Sequence, residues 1–177
     1  MKRICQLWIL LHFIGGPGLD GSNAFAEQLC HDALAATAPN HYYRSEKAGT
    51  VIDVRHHLMW QRCSLGQQWQ DEQCTGEIQS LSFNEAIDEA QHDNTADYED
   101  WRLPTIHELS TLSELRCYQP AINLAYFPNT PAGNFWTSTV FANNSAMAWL
   151  VHFQYAENHT AKQTFKAAVR LVRDVAR

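Results

Sequence analysis

The stretch Ser82–Leu109, SFNEAIDEAQHDNTADYEDWRLPTIHEL, carries two helix starts separated by an acidic loop, and its reading decides the fold class. Ser82 and Glu85 have the S-x-x-E spacing of a capping box, and Phe83, Ala86, Ile87 and Ala90 follow at the i, i+3, i+4, i+7 spacing of one helix face. Asp88, Glu89 and His92 fall on the other face. The acidic loop Asp93–Asp100 runs into Trp101-Arg102-Leu103-Pro104. Thr105 and Glu108 then repeat the capping spacing, and Pro104 just before them is helix punctuation. The second helix is expected to turn Ile106, Leu109, Leu112 and Leu115 to the core.

Upstream, Thr50–Asp53 and Leu58–Gln61 are short β-prone runs separated by Val54–His57, which predicts a hairpin-like pair. Residues 27–48 are polar and Ala-rich, and read as coil or a short helix tied down by Cys30. After Cys117 the sequence turns to loop chemistry at Pro120, Pro128-Asn129, Pro131 and Gly133. Strand-like runs return at Asn134–Thr139, Ala148–Phe153 and Ala167–Val172. Two helices between an early hairpin and late strands predict an α+β domain on an antiparallel sheet. The sequence has no internal repeat.

The chain of 177 residues has room for one domain. Lys2-Arg3, the apolar run Ile4–Ile14, a Gly/Pro break and Ala24-Phe25-Ala26 read as a signal peptide over residues 1–26, cut after Ala26. The apolar run is too short to span a bilayer, which needs about 20 residues. The remaining chain carries 11 basic and 18 acidic side chains, a net charge of −7, which argues against a general nucleic-acid binder. It keeps four cysteines, an even count that in an exported domain reads as two disulfides with three pairings open. Cys63 and Cys74 are close in sequence across a polar, Gly-containing segment, so they are paired, leaving Cys30 with Cys117. A zinc site is the rival, but the four cysteines are scattered and no C-x-x-C is present.

The ordered blocks LMWQRC (58–63), DYEDWRLPTIHEL (97–109), FPNT (127–130), FWTST (135–139), AWLVHF (148–153) and VRLVR (169–173) resemble the Lcl C-terminal domain family. This bacterial family supplies the C-terminal domain of the Legionella collagen-like adhesin. The resemblance covers roughly residues 48–174 and leaves 27–47 as an N-terminal extension. It implies a C-type-lectin-like single domain, related in fold to formylglycine-generating enzymes, and a secreted or envelope setting. In the adhesin the domain is linked to binding sulfated polysaccharides and host matrix, and fold-level analogy does not settle function here. One departure stands out: the family's early hairpin carries an Asp-x-x-Thr-Gly-Leu-x-Trp turn, whereas Val54-Arg55-His56-His57 precedes Leu58 here. The collagen-like stalk of the adhesin is also missing.

Candidate chemistry is sparse. Trp101, Arg102 and Pro104 belong to the resembled family's signature and read as structural, with Arg102 expected to pair with Asp100 or Glu108. His107-Glu108 lacks the second His of H-E-x-x-H, since position 111 is Thr, and the adjacent His56 and His57 point to opposite faces of an extended chain. The acidic residues Glu85, Asp88, Glu89, Asp93, Asp97, Glu99 and Asp100 read as a solvated face and not a calcium loop. Ser138 has no nucleophile motif around it. No metal, cofactor or catalytic residue is assigned.

Charge is placed unevenly: residues 27–120 hold 16 acidic and 6 basic side chains, and 121–177 hold 2 acidic and 5 basic. If 162–172 is extended, Lys162, Lys166 and Arg170 share a face opposite Phe165, Val169 and Leu171. Those three cations are the candidate ligand-binding residues. The expectation is a non-enzymatic exported binding domain that recognises a glycan, sulfated or not, or an envelope protein. The alternatives are an envelope enzyme with an unrecognised site and a structural subunit of a surface appendage or secretion assembly.

Overall fold

The computed structural model describes residues 27–175; the signal-peptide reading of 1–26 lies outside them. The structure is mostly β-sheet with two helices and two disulfides, an α+β arrangement. The expected hairpin forms from β1 (Thr50–Asp53) and β2 (Leu58–Gln61), with Thr50 opposite Gln61 and Asp53 opposite Leu58. Asp53 Oδ1 accepts from the Arg55 and His56 amides, each at 3.0 Å, and His56 Nδ1 lies 2.7 Å from Asp53 Oδ2. His57 takes φ 58°, filling the left-handed position that glycine occupies in the resembled turn. The turn thus closes without its glycine because Asp53 binds the two preceding amides.

Both hairpin strands are buried on both faces, because successive side chains alternate between two cores. Val51 and Trp60 meet Phe127, Phe135, Val151 and Phe153, while Ile52 and Met59 meet Phe83, Trp101, Trp136 and Leu150. Full burial of an aliphatic or phenyl side chain contributes about 1.5–3 kcal/mol. The hairpin is the centre of a four-stranded antiparallel sheet, flanked by Tyr43–Ser45 on one side and Val172–Asp174 on the other. A second sheet is formed by β3 (Asn134–Val140), β4 (Met147–His152) and β5 (Glu157–Lys162), with β4 in the middle.

Helix α1 (Phe83–His92) starts at the expected capping box and buries Phe83, Ala86 and Ala90. Helix α2 (Ile106–Ser110) also has its capping box but stops after five residues. The hydroxyls of Ser110 and Thr111 bond back to the Ile106 and Glu108 carbonyls at 2.7 Å, and the chain leaves the helical path. Leu112 is buried, but Leu115 is 63% exposed, contrary to the periodic expectation.

Residues 27–47, read as coil or a short helix, carry a single 3-10 turn at Asn40–Tyr42 and short strands at Leu29–Cys30 and Tyr43–Ser45. Tyr43 is buried edge-on against Phe127, with ring centroids 5.5 Å apart, and its strand completes the main sheet. The buried Glu114 carboxylate accepts from the Thr37 and Ala38 amides, both at 3.1 Å. The disulfide Cys30–Cys117 clamps the same segment, and Cys63–Cys74 ties the Gln68–Thr75 hairpin to the end of β2.

Residues 167–174 thread through the middle of the molecule. Ala167 exchanges both backbone bonds with Leu81, and Ala168 bonds Asn134 and Trp136 of β3. The carbonyls of Val169 and Leu171 accept from Leu65 and Gln61, and Val172 exchanges bonds with Arg102. Arg170 at the centre of this segment is fully buried, which corrects its assignment to a surface basic face. Its guanidinium donates to the Gln61 and Arg62 carbonyls and to Thr130 Oγ1, and sits 4.9 Å from the Phe127 ring centroid.

Arg170→Ala is expected to destabilise the domain by about 3 kcal/mol or more, from a cavity plus stranded acceptors, as read by urea unfolding. Thiol titration of the unfolded chain over residues 27–175 is expected to find no free thiol before reduction and one for each of its four cysteines afterwards.

Candidate functional site

Trp101–Pro104 places its side chains on three different neighbours. Trp101 is buried and its indole N–H donates to the Thr95 carbonyl at 3.0 Å. Arg102 forms a bidentate pair with Glu108, at 2.9 and 2.8 Å, and reaches Asp174 at 3.2 Å. Glu108 also accepts from the Thr105 amide, so one carboxylate caps α2 and anchors the loop before it. Burial alone would raise the Glu108 carboxyl, but the Arg102 and Thr105 hydrogen bonds hold it below the usual range. Next to this clasp, Arg173 pairs with Asp100 at 2.6 and 3.1 Å, and its hydrogen bonds hold the Asp100 carboxyl low. A cleft of about 470 Å³ opens beside the signature, floored by Ile87, Ala90, Trp101 and Leu103 and edged by Arg102 and Glu108.

The three candidate cations do not form one exposed face, because Arg170 is buried. Lys162 ends β5 and is exposed; the chain then turns at 163–165, and Lys166 pairs with Glu85 of α1. The Lys166 and Ser82 hydrogen bonds lower the Glu85 carboxyl to about 2. Arg170 is inside, where burial lowers it to about 9. Phe165, expected on the apolar side, is half exposed and lies edge-on to Trp136 at 6.5 Å. Lys162 makes no ion pair among the described residues, and it lines a cleft of about 360 Å³ with Ser82, Asn84, Asn144, Met147 and Gln163. That lining offers one cation, several amide and hydroxyl groups, and a thioether patch.

The sequence profile of the Lcl C-terminal domain matches residues 49–173. The chain belongs to the Lcl C-terminal domain family. No curated protein matches it.

The other candidates in this Lcl C-terminal domain are scattered by the fold. The acidic stretch is split among separate partners: Asp93 accepts from Gln61 Nε2 and the Thr95 amide, Asp100 holds Arg173, and Glu85 holds Lys166. His56 is committed to Asp53, while His152 and His159 face each other with ring centroids 6.1 Å apart. Burial, then the neighbouring His159, lowers the His152 imidazole. Asn84, Asn144, Met147 and Gln163 were missed from the sequence because three distant segments contribute them. The Asn143-Asn144 pair between two strand-like runs was the available turn signal.

Because the Glu108 and Asp100 carboxyls sit below their unfolded range, they release protons on folding; their stabilisation is complete above about pH 5 and is lost as pH falls through the folded values. Melting temperature is therefore expected to drop between about pH 5 and pH 3. Glu108→Gln is expected to cost about 1–2 kcal/mol at neutral pH and to flatten that acid decline, checked by thermal melts across pH.

Proposed function

We propose that this chain is an exported, non-enzymatic, adhesin-like binding domain with a C-type-lectin-like fold that captures a glycan at the cleft around Lys162. Family membership supports the adhesin-like class, and the two disulfides fit an oxidising compartment outside the cytoplasm. No helix among the described residues is long and apolar enough to cross a membrane. The observation that carries the reading is the cleft lining itself. Lys162 is a cation without an ion-pair partner among the described residues, set among Asn84, Asn144 and Gln163, whose amides both donate and accept. A sulfate or carboxylate on a sugar would meet the ammonium while hydroxyls meet the amides.

With one free cation in place of the three expected, capture of a sulfated glycan is weak and strongly screened by salt. The disulfide-intact protein is expected to be retained on immobilised heparin at low ionic strength and released near physiological salt. Lys162→Ala is expected to abolish that retention, whereas Lys166→Ala, which removes a cation already paired with Glu85, changes it little. Retention unchanged in Lys162→Ala would place anion capture away from this cleft.

A further inference from the structure

Three aromatic side chains from separate segments line up on the surface away from the Lys162 cleft: His31, Tyr118 and Tyr155. The His31 and Tyr118 rings are 6.3 Å apart with planes at 29°, and Tyr118 and Tyr155 are 6.0 Å apart at 27°. Near-parallel rings at this spacing form an offset stack, and the two end residues, His31 and Tyr155, are both exposed. Tyr155 ends the row and is 53% exposed. The row is held in place by covalent and backbone links. Tyr118 follows the Cys30–Cys117 disulfide, the His31 amide donates to the Arg116 carbonyl at 2.8 Å, and the Gln119 amide donates to the Gln154 carbonyl at 3.0 Å. A fixed row gives up little conformational freedom when a ligand lands on it.

That last bond joins the residue before Tyr155 to the wall of a cavity of about 270 Å³ lined by Gln73, Gln119, Pro120, Asn129, Thr130 and Pro131. None of its lining side chains is ionisable as an acid or base. Three amides provide donors and acceptors, and the prolyl rings provide flat apolar surface. A charged ligand would lose hydration here with no counter-charge to replace it. A pyranose matches both parts: its C–H face packs on an aromatic or prolyl surface, and its hydroxyls need paired donors and acceptors.

We infer that Tyr155, with Tyr118 behind it and the amide-lined cavity beside it, forms a binding site for a neutral saccharide. The site is independent of the Lys162 cleft and recognises uncharged sugar units. Titration of the disulfide-intact protein with neutral oligosaccharides of glucose, galactose, mannose and N-acetylglucosamine, followed by calorimetry and amide NMR shifts, tests it. At least one oligosaccharide is expected to bind, with affinity changing by less than about twofold between about 0.15 M and about 1 M NaCl. Tyr155→Ala is expected to weaken it about tenfold or more, Tyr155→Trp to retain it, and Lys162→Ala to leave it unchanged. Near-UV circular dichroism of Tyr155→Ala checks that the fold is kept. Absence of binding by all four sugars, full binding by a folded Tyr155→Ala, or loss in Lys162→Ala would overturn the inference. Heparin retention responds separately, so failure at the Lys162 cleft is distinguishable from failure here.

Discussion

The Arg170 guanidinium donates hydrogen bonds to the carbonyls of Gln61 and Arg62 and to the Thr130 hydroxyl oxygen, groups that belong to the end of the central hairpin and to the loop before β3. Among the described residues no carboxylate pairs with it. Burial lowers the group to about 9, so at neutral pH it remains charged, and the carbonyl dipoles with the Phe127 and Phe135 ring faces stand in for a counter-ion. A buried cation tolerates little displacement, because each lost acceptor leaves an uncompensated donor in low dielectric. Its neighbours alternate strictly: Val169 and Leu171 enter one core, Ala168 and Val172 the other. A one-residue slip would exchange the two sets, so Arg170 and the alternation around it fix one register for everything bonded to 167–174.

The local signals in the sequence translated directly into structure. Both capping boxes, the 50–61 hairpin and the short-range pairing of Cys63 with Cys74 depend on residues within a dozen positions of each other. What sequence reading missed depends on distant partners. Tyr43 joins a sheet because Phe127 and the hairpin accept it, and α2 ends early because two hydroxyls turn inward on their own backbone. Alternation correctly separated the faces of 167–172 but could not say that both faces are interior. Cations belong on the surface by default, a rule that holds until a chain provides carbonyls in place of water.

The division of the sequence into an acidic first part and a basic final part does not survive folding as two fields. Lys166 lies on Glu85, Arg173 on Asp100, and Arg102 bridges Glu108 and Asp174. Two basic residues late in the chain, Lys166 and Arg173, pair with acids placed early, and together with the Arg102–Asp174 pair they pin the C-terminal segment to α1 and to the signature loop. Lys162 is left over because β5 ends before the chain turns back. Charge counted along a sequence therefore overstated the anion site and understated the cohesion of the fold.

The position of 167–174 also sets an order of events. A chain emerging N-terminus first from a ribosome or a membrane pore delivers the hairpin more than 100 residues before the segment that lies against it. Until then Trp60 and Met59 have no edge partner, and the loop to be closed is long and entropically costly. Both cores lack part of their lining until residues 167–174 arrive, so closure of the two cores waits for the end of the chain. That same interval exposes two aromatic-rich half-cores, when chaperone attention and correct thiol pairing matter most.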